Sequence, residues 1–401
     1  MANNSWRKNL YIIFVAELVV MTGFSFVTPF IPLYVQQIGN FNDAQAAFWS
    51  GISISCVGIG LFVSAPIWGV LADRMGRKPM VLRSMLGGAV IIALEGLAPN
   101  VYIFVGLRII QGMLTGTIAA ASALVTSSSP RDKTGFVLGL LMVAVYCGNT
   151  VGPSIGGFLA HVFGYRNTFF ITAGMLLIGG LMVQFLVKET FQPPAQKASF
   201  GGMWRLAATR TVLPLLITTC LIYMATQTAQ PIVALFMAQL GSKETAAVST
   251  GLAFALMGLI AAFSSVVSGR LIGRLSPRKI LIVASLGAGL MYILPIFAAN
   301  TAQLVIFVGL LGLLQGGVVT STTSLIGISV PIAQQGMAYG LSQSANALGI
   351  TLGPIIGGSA AQLISLRYIF GLSAALFLIT GLMASKFVVY GVRKEVVQET
   401  R

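Results

Sequence analysis

The sequence predicts an all-α membrane protein with twelve transmembrane helices in two pseudo-symmetric six-helix halves. Apolar residues make up 56% of its 401 positions and charged residues only 8%, too few to cover a water-exposed surface of ordinary size. Twelve apolar runs are long enough to cross a bilayer, which takes roughly 20 helical residues. Two landmark segments recur in the same order about two hundred residues apart, the mark of a duplicated unit.

The runs lie at 10–34, 48–72, 80–98, 101–125, 136–160, 167–187, 211–238, 248–271, 280–299, 302–326, 338–363 and 367–388. The first is too long for a signal-peptide core and no small-residue cleavage pattern follows it, so it reads as a retained span one. Spans two and three are joined by a cationic turn, Gly69-Val-Leu-Ala-Asp73-Arg74-Met-Gly76-Arg77-Lys78-Pro79. Its degraded copy, Gly269-Arg-Leu-Ile-Gly273-Arg274-Leu-Ser-Pro277-Arg278-Lys279, joins spans eight and nine. Pro99-Asn100 turns span three into span four. Span five carries Gly148-Asn-Thr-Val-Gly152-Pro153-Ser-Ile-Gly156-Gly157, echoed in span eleven by Gly349-Ile-Thr-Leu-Gly353-Pro354-Ile-Ile-Gly357-Gly358. Residues 189–210 contain Pro193-Pro194, Gly201-Gly202 and Trp204-Arg205, and read as a linker with a short helix lying on the membrane face. They separate an N-terminal half, 1–188, from a C-terminal half, 211–401.

Orientation follows from the basic residues. Arg7, Lys8, Arg74, Arg77, Lys78, Arg83, Arg131, Lys133, the linker cations and those after spans eight and twelve share one side, twenty of the 24 Lys and Arg. Arg166, Lys243 and Arg367 fall on the other side, and Arg108 falls inside a span. Both termini are therefore expected in the cytoplasm of a multi-pass cell-membrane protein. The net charge of +15 serves as membrane anchoring, since no basic face with interleaved aromatics suggests nucleic acid. Cys56, Cys147 and Cys220 all sit in apolar runs and read as packing residues.

Intramembrane charges cost roughly 2.5–3.5 kcal/mol each on insertion scales, and three occur: Glu17, Glu95 and Arg108. At a rise of about 1.5 Å per residue, Glu17 lies roughly 13 Å into span one, near the midplane. Glu95 and Arg108 flank the Pro99-Asn100 turn and can pair across it, with Arg108 also long enough to reach towards Glu17. An acid held at mid-depth without a matched cation is what proton coupling needs; a satisfied polar contact between helices is the competing reading. In span five, Gly148, Gly152 and Gly156 fall on one helix face, and Pro153 bends the helix. The expected partner of that face is the equivalent glycine face of span eleven.

These residues resemble the major facilitator superfamily, and within it the twelve-span drug:proton antiporters. Gly69–Lys78 looks like the superfamily signature between helices two and three, and Gly148–Gly157 like the antiporter signature. Leu107-Arg108-Ile-Ile-Gln111-Gly112 with Gly116 looks like the helix-four motif, and Gly23-Phe-Ser-Phe-Val-Thr-Pro29-Phe-Ile-Pro32 like that of helix one, with Thr22 where an apolar residue is usual. The general character is that of Gram-positive bacterial multidrug pumps. The resemblance implies the major facilitator fold and an inner gate built from Gly69, Asp73, Arg74, Gly76, Arg77 and Lys78. There, Asp73 would face the positive start of span eleven near Tyr339. The plain alternative is a basic anchoring turn, in which an acid has no purpose.

A drug cavity is large, mainly apolar and lined by a few polar groups. Candidates are Phe24, Phe26 and Phe30 from span one, Asn149 from span five, Tyr223 and Gln227 from span seven, and Gln343 and Asn346 from span eleven. The chain has no Gly-Lys dipeptide, so no phosphate-binding loop, and a single histidine, His161, so neither a histidine metal cluster nor a Ser-His-Asp triad. The expectation is no enzyme, but a monomeric proton-coupled antiporter exporting lipophilic drugs, with no cofactor and no metal. Glu17, Arg108 and Glu95 form its coupling set. A proton-linked carrier of a nutrient, metabolite or lipid is the alternative.

Overall fold

The computed structural model describes residues 5–129, 134–189, 205–272, 274–330 and 335–388. The linker assignment thus lies largely outside the described residues, Trp204 included. Among the described residues there is no strand, and nine helical runs are long and apolar enough to cross a membrane. Among the described residues the helices nonetheless trace all twelve expected spans. Spans five and six form one continuous run, Thr134–Leu186, folded at Gly164, whose φ of 79° is non-helical. Span four is split into two short helices, Val101–Leu114 and Thr117–Ser128. Span eleven, Gln335–Ala360, is long enough but diluted by Ser342, Gln343, Ser344 and Asn346.

Local sequence explains the ends. Asn100 opens span four, its side-chain oxygen accepting from the Ile103 N–H, and Asn300 opens span ten on Gln303 in the same way. Pro79 and Pro277 sit in the first turns of spans three and nine, where the missing N–H costs nothing. Large apolar side chains such as Phe185 and Phe263 stay exposed around the outside, as a bilayer-embedded helix bundle requires.

Spans one to six pack among themselves, and so do spans seven to twelve; two seams join the sets, span two against span eleven and span five against span eight. The seams repeat each other. A Cβ on Gly51 or Gly251 would meet the carbonyl of Pro354 or Pro153; one on Gly58 or Gly258 would meet the side chain of Thr351 or Thr150. One on Gly358 or Gly157 would meet the carbonyl of Ala47 or Ala247. All six positions lie between mid-depth and the face opposite the basic loops. On that face Gln239 Nε2 of span seven also donates to Asp43 Oδ2 of span two at 2.5 Å.

Candidate transport pathway and coupling groups

Glu17 sits in span one, Trp6–Gly39, with no exposed surface. Its carboxylate pairs with no cation among the described residues, and the polar side chain facing it is Thr117. Thr117 is the first residue of the second half of span four. The break before it depends on Gly116, whose φ of 105° suits glycine. Breaking a helix leaves orphan carbonyls on one side and orphan N–H groups on the other. The carbonyl side is met from neighbouring spans: Trp68 Nε1 donates to Met113 O at 2.6 Å, and Arg83 Nη2 to Thr115 O at 3.2 Å. The Arg83 guanidinium also lies 3.9 Å over the Trp68 ring. The partially positive N–H side begins at Thr117, beside Glu17.

Glu95 and Arg108 pair as the hairpin geometry suggests, Nη1 to Oε2 at 3.9 Å. Arg108 Nη1 donates to Gln111 Oε1 at 2.6 Å, and Tyr34 donates to the Glu95 backbone carbonyl at 2.8 Å. Both Glu95 oxygens and the Arg108 Nε and Nη2 remain without hydrogen bonds around a cavity of about 30 Å³, which Phe24, Thr28, Gln111 and Thr172 also line. Arg108 does not reach Glu17. The three charges form two separate sites, an ion pair and a lone acid.

In the signature turn after span two, Gly76 has a φ of 95° and reverses the chain. The N–H groups of Arg77 and Lys78 donate to the Glu189 carboxylate at 2.9 Å, and Lys78 Nζ donates to the Gln184 and Val187 carbonyls at 2.8 Å. The turn is therefore tied to the end of span six. Glu189 was not foreseen: it lies far along the chain and belongs to no recognisable spacing. The side chains of Asp73 and Arg74, and Gly69 with them, lie outside the described residues.

The partner expected for the glycine face of span five requires correction. Gly148, Gly152 and Gly156 pack against Met21, Thr22, Ser25 and Phe26 of span one, not against span eleven. The span-eleven face, Gly349, Gly353 and Gly357, packs against Tyr223, Gln227 and Thr228 of span seven. Helical spacing defines a face; it does not name the helix that fills it. Pro153 and Gly157 point elsewhere, into the seam with span eight.

Two cavity assignments also change. Phe30 is fully buried and stacks on Tyr165 at 5.3 Å, and Phe26 is buried against Gly156, so both are core. Phe24 borders the small cavity beside Glu95 and Arg108. Asn149 and Gln343 are exposed, and Tyr223, Gln227 and Asn346 half-buried. Asn149 Oδ1 accepts from Ser25 at 2.7 Å, and Asn346 Nδ2 donates to Gln343 at 3.3 Å, which leaves Asn346 Oδ1 unpartnered.

Duplicated halves, two repeated seams and a broken span beside a lone acid describe a carrier, and the sequence profile of the Major Facilitator Superfamily matches residues 13–299 and 215–400. The chain belongs to that superfamily. Its members are transporters, not enzymes, so small-molecule substrates and multi-pass insertion in the cell membrane follow. Among curated relatives, "Multidrug resistance protein MdtG" of Klebsiella pneumoniae (strain 342) is 34% identical over 385 residues, spanning 95% of this chain and 93% of that protein. The protein of the same name from Proteus mirabilis (strain HI4320) is 34% identical over 93% of this chain and 94% of its own length. Solved structures share the superfamily fold at low identity. A bacterial homologue of the human lysosomal transporter Spinster superposes with a TM-score of 0.77 at 15% identity, covering 96% of this chain and 98% of its own. The nucleoside transporter NupG gives 0.79 at 11%, covering 95% and 100%.

Proposed function

We propose that this protein is a proton-coupled antiporter that exports lipophilic drugs by alternating access. The MdtG relatives, matched along nearly the whole chain, support drug export. The observation that carries the coupling is the Glu17 carboxyl, wholly buried and without a cationic partner among the described residues, at the break of span four. A proton neutralises it without breaking an ion pair, and deprotonation is favoured when water or the dipole of the half-helix faces it. The Glu95–Arg108 pair accompanies it and keeps spans three and four in register.

With the basic loops in the cytoplasm, both termini are cytoplasmic, the sealed seams lie outside, and the arrangement is open inward. The halves 1–188 and 211–401 rock as bodies about the seams, with 189–210 as the tether, and the protein works as a monomer. Drug enters among Asn149, Tyr223, Gln227, Gln343 and Asn346, with Phe24 at the edge of the charged site. The gate turn Gly69–Lys78, fixed to span six through Glu189, closes the inner side when Asp73 meets the start of span eleven.

The test is proton-gradient-driven transport in proteoliposomes with lipophilic cations, zwitterions and sugars as a panel. Export of lipophilic compounds collapses with an uncoupler. Transport that survives the uncoupler and stops on ATP depletion overturns the coupling; transport of sugars alone overturns the substrate class.

A further inference from the structure

A cation on the face opposite the basic loops does nothing for anchoring, and only Arg166, Lys243 and Arg367 stand there. Two of these three, with the chain's single histidine, line one pocket of about 490 Å³. Its walls come from both halves: Gln37 at the end of span one, His161, Tyr165 and Arg166 around the turn between spans five and six, and Lys243 and Glu244 at the start of span eight. The turn is built to present them. Gly164 takes a φ of 79°, and Tyr165 stacks on the buried Phe30 ring at 5.3 Å. His161 Nδ1–H donates to the Glu244 carbonyl at 2.9 Å and so already bridges the halves. Among the described residues no carboxylate lies within ion-pair distance of Arg166 or Lys243. The first turn of the 30-residue helix Lys243–Ile272 adds its own partial positive charge. One acid, Glu244, shares the rim, which suits the pocket to a compact anion rather than a polyanion.

We propose that this pocket binds a phosphate-type anion, and that the bound anion staples the two halves together on that face. Cations from both halves converge on it only while the seams are closed, so its occupant must leave before the halves part there. Free phosphate and the phosphate of a phospholipid headgroup offer the same chemistry. The binding is independent of which drug is carried; only the description of the face as external rests on the orientation proposed above.

The full chain in dodecyl maltoside micelles, which carry no phosphate, without drug, provides the test. Spin labels at Asn167→Cys and Ala302→Cys, with Cys56, Cys147 and Cys220 changed to serine, report the separation of the halves on that face. Replacing chloride by inorganic phosphate at constant ionic strength is expected to raise the short-distance population. Arg166→Gln or Lys243→Gln is expected to raise the half-saturating phosphate at least about fivefold. A response to phosphatidylglycerol but not to phosphate, lost in both variants, assigns the site to a headgroup. No response to either anion, or one that both variants retain in full, overturns the proposal. Because no drug is present, failure of the export reading cannot produce that result.

Discussion

The repeated seams give the sharpest test of alternating access. Gly51→Ala places a Cβ 2.2 Å from the Pro354 carbonyl oxygen, and Gly251→Ala places one 2.3 Å from that of Pro153. Ordinary heavy-atom contacts begin a little above 3 Å, so the two helices must part by about 1 Å at that level. Overpacking of this kind costs typically about 1–3 kcal/mol. The cost falls on the state in which the seam is closed and is relieved when the halves separate there. With 1.4 kcal/mol worth tenfold, the closed state should lose about 5- to 150-fold in relative population. Labelling by a membrane-impermeant maleimide reads this out, in a background lacking Cys56, Cys147 and Cys220. The reporter belongs in the other seam: Ser154→Cys for Gly51→Ala, and Ser55→Cys for Gly251→Ala. If the halves rock as bodies, a clash in one seam opens both, and labelling should accelerate at least about fivefold. Gly289→Ala is the control, since its Cβ would lie 2.7 Å from Leu378 Cγ, between spans nine and twelve inside one half. It should lower abundance and leave labelling unchanged. Labelling of the other seam no faster than in the control, for Gly51→Ala and Gly251→Ala alike, refutes rigid rocking about these contacts.

The remaining predictions concern charge. Asp73→Asn should cripple turnover at near-normal abundance, and transport at the original rate would reduce the turn to an anchor. Glu17→Gln should abolish uphill, proton-linked export while leaving downhill drug equilibration measurable in proteoliposomes. Glu95→Gln leaves Arg108 buried without its ion pair, so it should cost on the order of 3 kcal/mol, seen as lower melting temperature and abundance in step with activity. Drug-induced proton release that persists in Glu17→Gln and vanishes in Glu95→Gln would reverse these roles. Glu189→Gln removes the charge from the N–H groups of Arg77 and Lys78 and should lower stability by about 1 kcal/mol; an unchanged melting temperature would show that the cap contributes nothing.

Much of the fold was legible because the bilayer makes a simple demand: each crossing is a long apolar run, and the duplication shows in Gly69 and Gly269, Gly148 and Gly349. The break in span four was not. Leu107 to Val125 reads as one apolar run, and a helix can tolerate Gly116 as readily as break at it. The break depends on Trp68 and Arg83 reaching in from spans two and three, contacts that no local pattern encodes. The Glu95–Arg108 pair was legible because a tight turn puts both residues at one depth. Phe26 and Phe30 misled for the opposite reason: an aromatic at helical spacing looks the same facing a cavity or a core, and the kink that brings Tyr165 onto Phe30 lies about 135 residues away.

The scaffold is duplicated, yet its chemistry is not. Glu17, Glu95 and Arg108 all lie in spans one, three and four, and spans seven to twelve hold no buried charge among the described residues. On the coupling proposed above, one protonation event must therefore move two seams. Span five is placed to carry it. Its Gly148 face packs on Met21 and Thr22 of span one, about one turn from Glu17. Its Pro153 and Gly157 face is the seam with span eight. A shift of span one on gaining or losing charge at Glu17 thus reaches a seam through one close-packed helix, whose glycines leave no slack to absorb it. The equivalent helix in the other half, span eleven, packs its glycines on Tyr223 and Gln227 instead. The same construction there couples a seam to two of the residues proposed to contact drug. Proton and drug would then act on opposite seams of one rigid movement, which is how two ligands that never touch can still exclude each other.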